Sequence, residues 1–348
     1  MYPFKQGSFA PRNAWYVAAF INEIGDDLLE RWILNEPVVL YRKKDGEAVA
    51  INGRCPHRHF PLGKSKRVGD AVQCGYHGIT FDSAGKCTFV PSQKNIPGVY
   101  SIPAYPLVER GLWAWIWMGD AAKADESLIP TLDEIDYHVP GLIPHPFFAM
   151  EIEGRYQLMN DNLLDLSHLS YLHGTSIGTE TDAETPEIRD LNDRRLSSRR
   201  VMNNTSMTPV LKDMTNYRGP IDRISGMDFY FPGFHAGIGD FRVSEGQERA
   251  GEYLSKGRVW HAVTPATHDR TWYFFSMTVT DPDRVEHSKD IIRKVLDEDI
   301  LATVEIEKMA KQLGDLPPEL MIKSDQTAVM GRRIMQQMMD REAAEAKT

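Results

Sequence analysis

Four residues between positions 55 and 77 have the types and spacing to share one metal centre. Cys55-Pro56-His57 and Cys74-Gly75-Tyr76-His77 read as Cys-x-His, sixteen residues, then Cys-x-x-His. Turn-forming residues flank both pairs: Gly53 and Pro56 in the first, Gly75 and Gly78 in the second. Each short loop therefore offers one thiolate and one imidazole. Zinc accepts two Cys and two His in a tetrahedral site. A mixed-ligand [2Fe–2S] cluster takes two Cys on one iron and two His on the other. Zinc motifs keep like ligands together, whereas here each loop can touch both irons, so the spacing favours the cluster. Cys87 falls outside the spacing and reads as a packed strand thiol. His59 adjoins the motif but has no matching partner.

A second constellation lies in Asn160-Asp-Asn-Leu-Leu-Asp-Leu-Ser-His-Leu-Ser-Tyr-Leu-His-Gly174. Asp165 and His168 are three apart and would share a helix face. His168 and His173 are five apart, about 140° round a helix of 3.6 residues per turn. They converge only if the helix ends or bulges between them, and Gly174 makes an ending plausible. Taken alone, such a pair is more often packing than ligation. A third donor changes the balance. On a wheel of residues 291–313, Ile292, Val295, Leu296, Thr303 and Ile306 cluster about Asp299. Glu298 falls on the wet side with Lys294 and Glu305, and Asp297 lies at the edge of the apolar stripe. A core-facing carboxylate is costly unless it is paired or bound to metal. Two His and one carboxylate form the facial triad of non-haem Fe(II) oxygenases, which leaves positions open for O₂. Asp165 would then hold the N–H of His168 from outside the metal's own ligand set.

These side chains need a scaffold. The 348 residues suggest two domains, with 42% hydrophobic and 26% charged residues as in ordinary globular chains. Forty Lys and Arg against 49 Asp and Glu leave −9, which argues against a general nucleic-acid binder. Three cysteines are too few for a disulfide framework and suit a reducing compartment or a metal role. No apolar run approaches the roughly 20 residues that span a bilayer. The expectation is a cytoplasmic protein with no membrane segment. Residues 1–120 look β-rich. Trp15 to Phe20, Val38 to Tyr41 and Ala48 to Ile51 are short apolar runs, and Lys44-Asp-Gly marks a turn. Leu112 to Met118 carries three of the seven Trp and reads as a buried strand. Residues 121–146, rich in Pro and acidic residues, read as a linker. Beyond 147, Arg258 to Thr264 and Thr271 to Val279 look like neighbouring strands, and 288–313 and 325–343 like helices. The second part, 147–348, is therefore expected to be α+β, with an antiparallel sheet and packed helices.

Together the motifs resemble the Rieske non-haem iron oxygenases. More narrowly, the chain is similar to the oxygenase components of the vanillate O-demethylase, dicamba O-demethylase and toluenesulfonate methyl-monooxygenase group. The likeness runs from Arg12-Asn-Ala-Trp-Tyr-Val-Ala-Ala through the cluster loops and Val108-Glu-Arg-Gly-Leu-Trp-Ala-Trp-Ile-Trp-Met-Gly-Asp. It continues in Asp161-Asn-Leu-Leu-Asp-Leu-Ser-His and Glu298-Asp299, to the last helix near Asp325 to Arg333. The resemblance implies an α+β protein with an N-terminal all-β Rieske domain and a catalytic domain whose antiparallel sheet is covered by helices. It implies that Cys55 and Cys74 bind one cluster iron and His57 and His77 the other. His168, His173 and Asp299 would bind mononuclear Fe(II). Asn162 would hydrogen-bond near that iron, and Asp165 would bridge His168 to His77 of a neighbouring subunit in a head-to-tail homotrimer.

The implied activity is O₂- and NAD(P)H-dependent hydroxylation of an alkyl substituent on an aromatic substrate. O-demethylation or N-dealkylation with aldehyde release leads that reading. No Gly-x-Gly-x-x-Gly fingerprint in a βαβ setting is present, so electrons from NAD(P)H would come through a separate reductase or ferredoxin. Phe229, His235, Trp260, His261 and Trp272 to Phe275 suggest an aromatic-lined pocket, with His261, His235 and Trp260 as candidate substrate contacts. The loop from Gly174 to Glu187 reads as either a lid or plain surface. Within the oxygenase class the alternatives are a ring-hydroxylating dioxygenase and a methyl hydroxylase of an aromatic acid. From other classes, a Rieske electron carrier would need no His168–His173–Asp299 set, and a zinc-stabilised binding protein would be colourless.

Overall fold

A computed structural model describes residues 3–314 and 316–347. They form two units. One holds Ala10–Ile129 with Thr264–His268; the other holds the rest of the described chain.

The first unit is all β. Three antiparallel sheets carry it. β1 (Trp15–Phe20), β11 (Trp113–Trp117) and β10 (Leu107–Arg110) pair in that order. β2 (Leu29–Ile33), β3 (Glu36–Arg42), β4 (Ala48–Asn52) and β9 (Ala104–Tyr105) make the second. β5 (Lys66–Val68), β6 (Ala71–Gln73), β7 (Thr80–Phe81) and β8 (Cys87–Phe89) make the third, a small platform next to both metal-type loops. The short apolar runs read from sequence are β1, β3 and β4. Gly46, at φ +92°, turns between the last two as Lys44-Asp-Gly foretold. Trp113, Trp115 and Trp117 are all buried, so the tryptophan run is core. Beneath the loops a compact core gathers Val39, Tyr41, Ile51, Leu62, Val72 and Phe81, with Cys87 among them.

The second unit is a seven-stranded antiparallel sheet. Its strands are β12 (Ile143–Ile152), β13 (Ile188–Leu191), β14 (Arg195–Thr205), β15 (Ile221–Tyr230), β16 (Phe234–Val243), β17 (Tyr253–Thr267) and β18 (Arg270–Val279). Their spatial order is β12-β18-β17-β16-β15-β14-β13. Helices α1 (Tyr156–Leu164), α4 (Val285–Leu313) and α5 (Gln326–Glu345) pack with it. Two short helices, α2 (Thr181–Glu184) and α3 (Pro209–Met214), interrupt the connections. The α+β architecture and both long helices agree with the sequence reading. No helix among the described residues is long and apolar enough to cross a membrane.

The wheel drawn for α4 is right at Leu296, Asp299 and Thr303, all buried, and wrong one turn later. Ile306 is 49% exposed, while Glu307 is buried at 1%. The reason is an ion pair. Arg155, the residue just before α1, donates to Glu307 through Nε at 2.5 Å, Nη2 at 2.8 Å and its backbone N at 3.2 Å. The carboxylate thus fills the position an apolar residue was expected to take, and it sits at the positive end of α1. This pair fixes the start of α1 against α4.

Candidate functional site

The two cysteine–histidine loops have one backbone plan. Cys55 N donates to Phe60 O and Cys74 N to Ile79 O, five residues on in each case, at 3.0 and 2.8 Å. His59 N returns to Cys55 O and Gly78 N to Cys74 O, at 2.9 and 3.0 Å. The fourth residue after each Cys has a left-handed backbone, His59 at φ +59° and Gly78 at +72°. His59 therefore has a conformational role, and Arg54 holds its Nδ1 at 2.9 Å. Two turns of one design bring the four predicted residues together. The Cys55 and Cys74 thiols are buried neighbours and unbridged; burial pushes the Cys55 thiol up to about 11. The His57 and His77 rings are exposed, with centroids 4.7 Å apart. Two buried sulfurs and two exposed imidazoles make up the donor set a mixed-ligand cluster would need, two Cys for one iron and two His for the other.

The second site joins α1's exit to α4. The helix ends at Leu164, earlier than the shared-face reading of Asp165 and His168 required. Asp165 is extended (φ −113°, ψ 91°), and its carboxylate accepts from Ser167 N at 2.9 Å, opening a 3₁₀ turn over Leu166–Ser170. His168 rides on that turn, and His173 follows in the next loop. The break swings the two rings to 5.2 Å apart. His173 Nε2 is 2.9 Å and His168 Nε2 3.5 Å from Asp299 Oδ1. The ligand-type atoms of all three lie within 4.8 Å of one another. Asn162 Nδ2 donates to the same Oδ1 at 3.0 Å.

The outer ring nitrogens are also held. His173 Nδ1 meets the Glu298 carboxylate at 2.6 Å, and His168 Nδ1 meets the backbone carbonyl of Asp165 at 2.6 Å. With Nδ1 carrying the proton toward its acceptor, each Nε2 turns a lone pair toward Asp299. Two lone pairs facing one carboxylate oxygen repel unless a proton or cation lies between them. The donor set thus fits a divalent metal ion of the two-His, one-carboxylate kind. Where protons on Nε2 occupy that space instead of a cation, burial would still raise the Asp299 carboxyl, but the bonds donated by His168 and His173 outweigh it and hold the group well below the ordinary carboxylate range. In that protonated state burial lowers His173, but its bonds to Asp299 and Glu298 outweigh it and raise the ring.

Two expectations change. Asp165 orients His168 through its carbonyl, while Oδ1 of its carboxylate caps the turn. Glu298 is not a wet-side bystander. It is half-buried and anchors His173, a partner 125 residues away that no helical wheel contains.

The candidate substrate residues separate by face. Successive strand residues point to opposite sides. His261 shares a face with Tyr273, whose hydroxyl lies 2.6 Å from its Nδ1, and with Phe275 at 5.1 Å between centroids. Burial takes the His261 ring down to about 4. His235 pairs with His261 in register and points the same way, but it is fully buried. Its Nε2 meets Asn160 Oδ1 at 2.9 Å, and its ring stacks on Phe229 at 4.4 Å. Trp260 is on the other face. Its indole donates to Ile135 O at 3.0 Å, with Tyr137 alongside, so it is removed from the substrate candidates. The loop read as lid or surface is pinned down. Asp182, fully buried, accepts from Thr179 N at 2.7 Å and pairs with Arg223 at 2.9 Å.

Residues 14–106 match the Rieske [2Fe-2S] domain family, and residues 152–341 match the vanillate O-demethylase oxygenase C-terminal domain family. The chain is 32% identical to the iron-sulfur subunit of a toluene-4-sulfonate monooxygenase system of Comamonas testosteroni, covering 95% of this chain and 97% of that one. It is 31% identical to a vanillate O-demethylase oxygenase subunit of a Pseudomonas species, covering 97% of each. A crystal structure of dicamba monooxygenase bound to 3,6-dichlorosalicylic acid superposes with a TM-score of 0.84 at 26% identity, covering 96% of this chain and 98% of that one.

Proposed function

The chain belongs to the vanillate O-demethylase family of Rieske non-haem iron oxygenase components, and from that premise we propose that it oxidises an O-methyl or N-alkyl group on an aromatic substrate. As an oxygenase component it works with an electron-donor protein. The division of labour we propose assigns 1–120 to the cluster domain, 121–146 to the connection and 147–348 to catalysis. Cys55, His57, Cys74 and His77 would hold the [2Fe–2S] cluster, and His168, His173 and Asp299 the Fe(II). When bound, these groups supply electron relay and reductive activation of O₂. For an O-methyl substrate each turnover consumes O₂, two electrons and two protons, and yields water, formaldehyde and a phenol.

The protein's own residues place the substrate and keep the metal ligands in register. Glu298 and the Asp165 carbonyl fix the two imidazoles, and Asn162 holds the Asp299 carboxylate. His261 is neutral at pH 7. With the Tyr273 hydroxyl donating to Nδ1, its Nε2–H is left to donate to a substrate oxygen. A homotrimer, with Asp165 facing His77 of a neighbouring subunit, completes the reading. The observation that carries the function is the pair of Nε2 atoms aimed at one Asp299 oxygen, each with its Nδ1 anchored.

Metal and acid-labile sulfide analysis of anaerobically purified protein, with an EPR spectrum after reduction, tests it. Three irons and two sulfides per chain with a Rieske-type signal are expected, followed by formaldehyde release from a methoxybenzoate panel. Zinc without sulfide would overturn the assignment. Two irons and two sulfides that Fe(II) does not raise to three would reduce the protein to an electron carrier.

A further inference from the structure

The chain is acidic overall, yet its cluster loops are basic. Between Arg54 and Val99 seven Lys and Arg face two Asp, a local +5 within a chain of −9. Both Asp are already counted in that balance and are held at their own turns. Asp82 accepts from the backbone of Ala84 and Lys86, and Asp70 from Lys44 N and Arg67. Arg54, Arg58, Lys64, Lys66 and Lys94 are exposed and form no ion pair among the described residues. The fold puts them round one place. Arg54 and Arg58 flank His57. The Lys64 carbonyl lies against Gly75, and Pro91, three residues before Lys94, packs on Gly78. Exposed cations left unpaired at a redox site repel one another, and their field attracts an acidic protein.

The two exposed imidazoles differ. The Tyr76 ring lies 3.8 Å from His77, with Phe60 a further 5.9 Å from Tyr76, so one side of His77 is covered. His57 has no aromatic neighbour but His77 among the described residues, and it lies on the arginine-bearing loop. We propose that the Arg54–Arg58 loop is the electron-entry face, where an acidic one-electron carrier protein docks over His57. One electron leaves the carrier and one is gained at the Cys55–His57–Cys74–His77 site, with no proton moved. This rests on the cluster assignment above.

The test is stopped-flow reduction of the reconstituted protein by a reduced plant-type [2Fe–2S] ferredoxin, an acidic carrier. At low salt the double variant R54E/R58E should react at least ten-fold more slowly, and R54K/R58K at close to the wild-type rate. Raising the salt should slow the wild type and leave the reversed variant nearly unaffected. Reduction by photoreduced deazaflavin, too small to need the face, should stay the same. Equal ferredoxin rates in wild type and R54E/R58E would overturn the proposal. So would an equal slowing with deazaflavin, which would place the effect on the cluster itself. If the reversal instead splits an oligomer in light scattering while sparing the ferredoxin rate, the arc is a contact between copies and the proposal falls. Absence of a Rieske EPR signal in the wild type would sink the cluster assignment instead.

Discussion

The cluster loops and the His168–His173–Asp299 site draw on similar side chains and hold them by different means. In the loops the backbone does the positioning. Each Cys is tied through its own N–H and C=O, and the four Cys and His side chains form no ion pair among the described residues. In the second unit side chains position one another across 125 to 137 residues, through Glu298 and Asn162, while His168 is held locally by the Asp165 backbone carbonyl. A backbone-built site is compact in sequence and is broken mainly at its ligands and its turn geometry. A side-chain-built site is dispersed and can be broken at residues that never touch the metal.

The largest break should come from Asp299→Ala. It removes the proposed third ligand and leaves the two Nε2 atoms without their common partner. Iron analysis should fall from three to two per chain, and turnover should drop by more than the roughly 100-fold that an outer partner commands. The cluster's colour and EPR signal should not change. Retention of a third iron would show that Asp299 is not a ligand. Glu307→Ala comes next. It removes the buried carboxylate that pairs with Arg155 at the junction of α1 and α4, and breaking such a pair costs about 3–5 kcal/mol. Urea unfolding of the second unit should show that loss. A change under about 1 kcal/mol would mean the pair is solvated and does not fix the helices.

Glu298→Gln should cost less than either, roughly 10- to 100-fold in Fe(II) affinity, because the amide still accepts from His173 but carries no charge. Unchanged affinity by chelator competition would restore Glu298 to the wet side of its helix. His261 gives a comparable effect that depends on pH. Its ring falls to about 4 in the fold, against about 6.5 unfolded. The folded state therefore binds fewer protons in that window, and stability is lost as pH falls from 6.5 toward 4. Between pH 7 and 5 the wild type should lose about 2 kcal/mol more than His261→Gln. Equal losses would mean that the ring is not held neutral by burial.

The difference between the sites also explains what could be read from the chain. The four loop Cys and His lie within 23 residues, and Cys-x-His with Cys-x-x-His exposes them directly. Asp299 was legible because it interrupts an apolar stripe that Leu296 and Thr303 continue. Glu298 and Glu307 were not, since their burial is set by His173 and Arg155 on distant segments. The end of α1 was hidden too. Leu163-Leu-Asp-Leu-Ser-His has no Gly or Pro, and the helix stops because the Asp165 side chain caps the turn that follows. Trp260 was misplaced by reading composition where alternation along β17 decides the face.

The smallest effect probes the loops' shared backbone plan. His59 and Gly78 occupy the same left-handed position, one with a Cβ and one without. A non-glycine residue there costs about 1–2 kcal/mol, and glycine avoids that cost while adding freedom to the unfolded chain. His59→Gly should therefore shift stability by no more than about 1 kcal/mol and leave the cluster spectrum intact. Gly78→Val should do worse than its φ alone dictates, because an added Cβ meets Pro91 Cγ at 3.1 Å. Chemical unfolding of the two variants checks this. A large loss in His59→Gly would mean that the contact between Arg54 and the His59 ring, rather than the backbone, holds the first loop, and the contrast between the two sites would narrow.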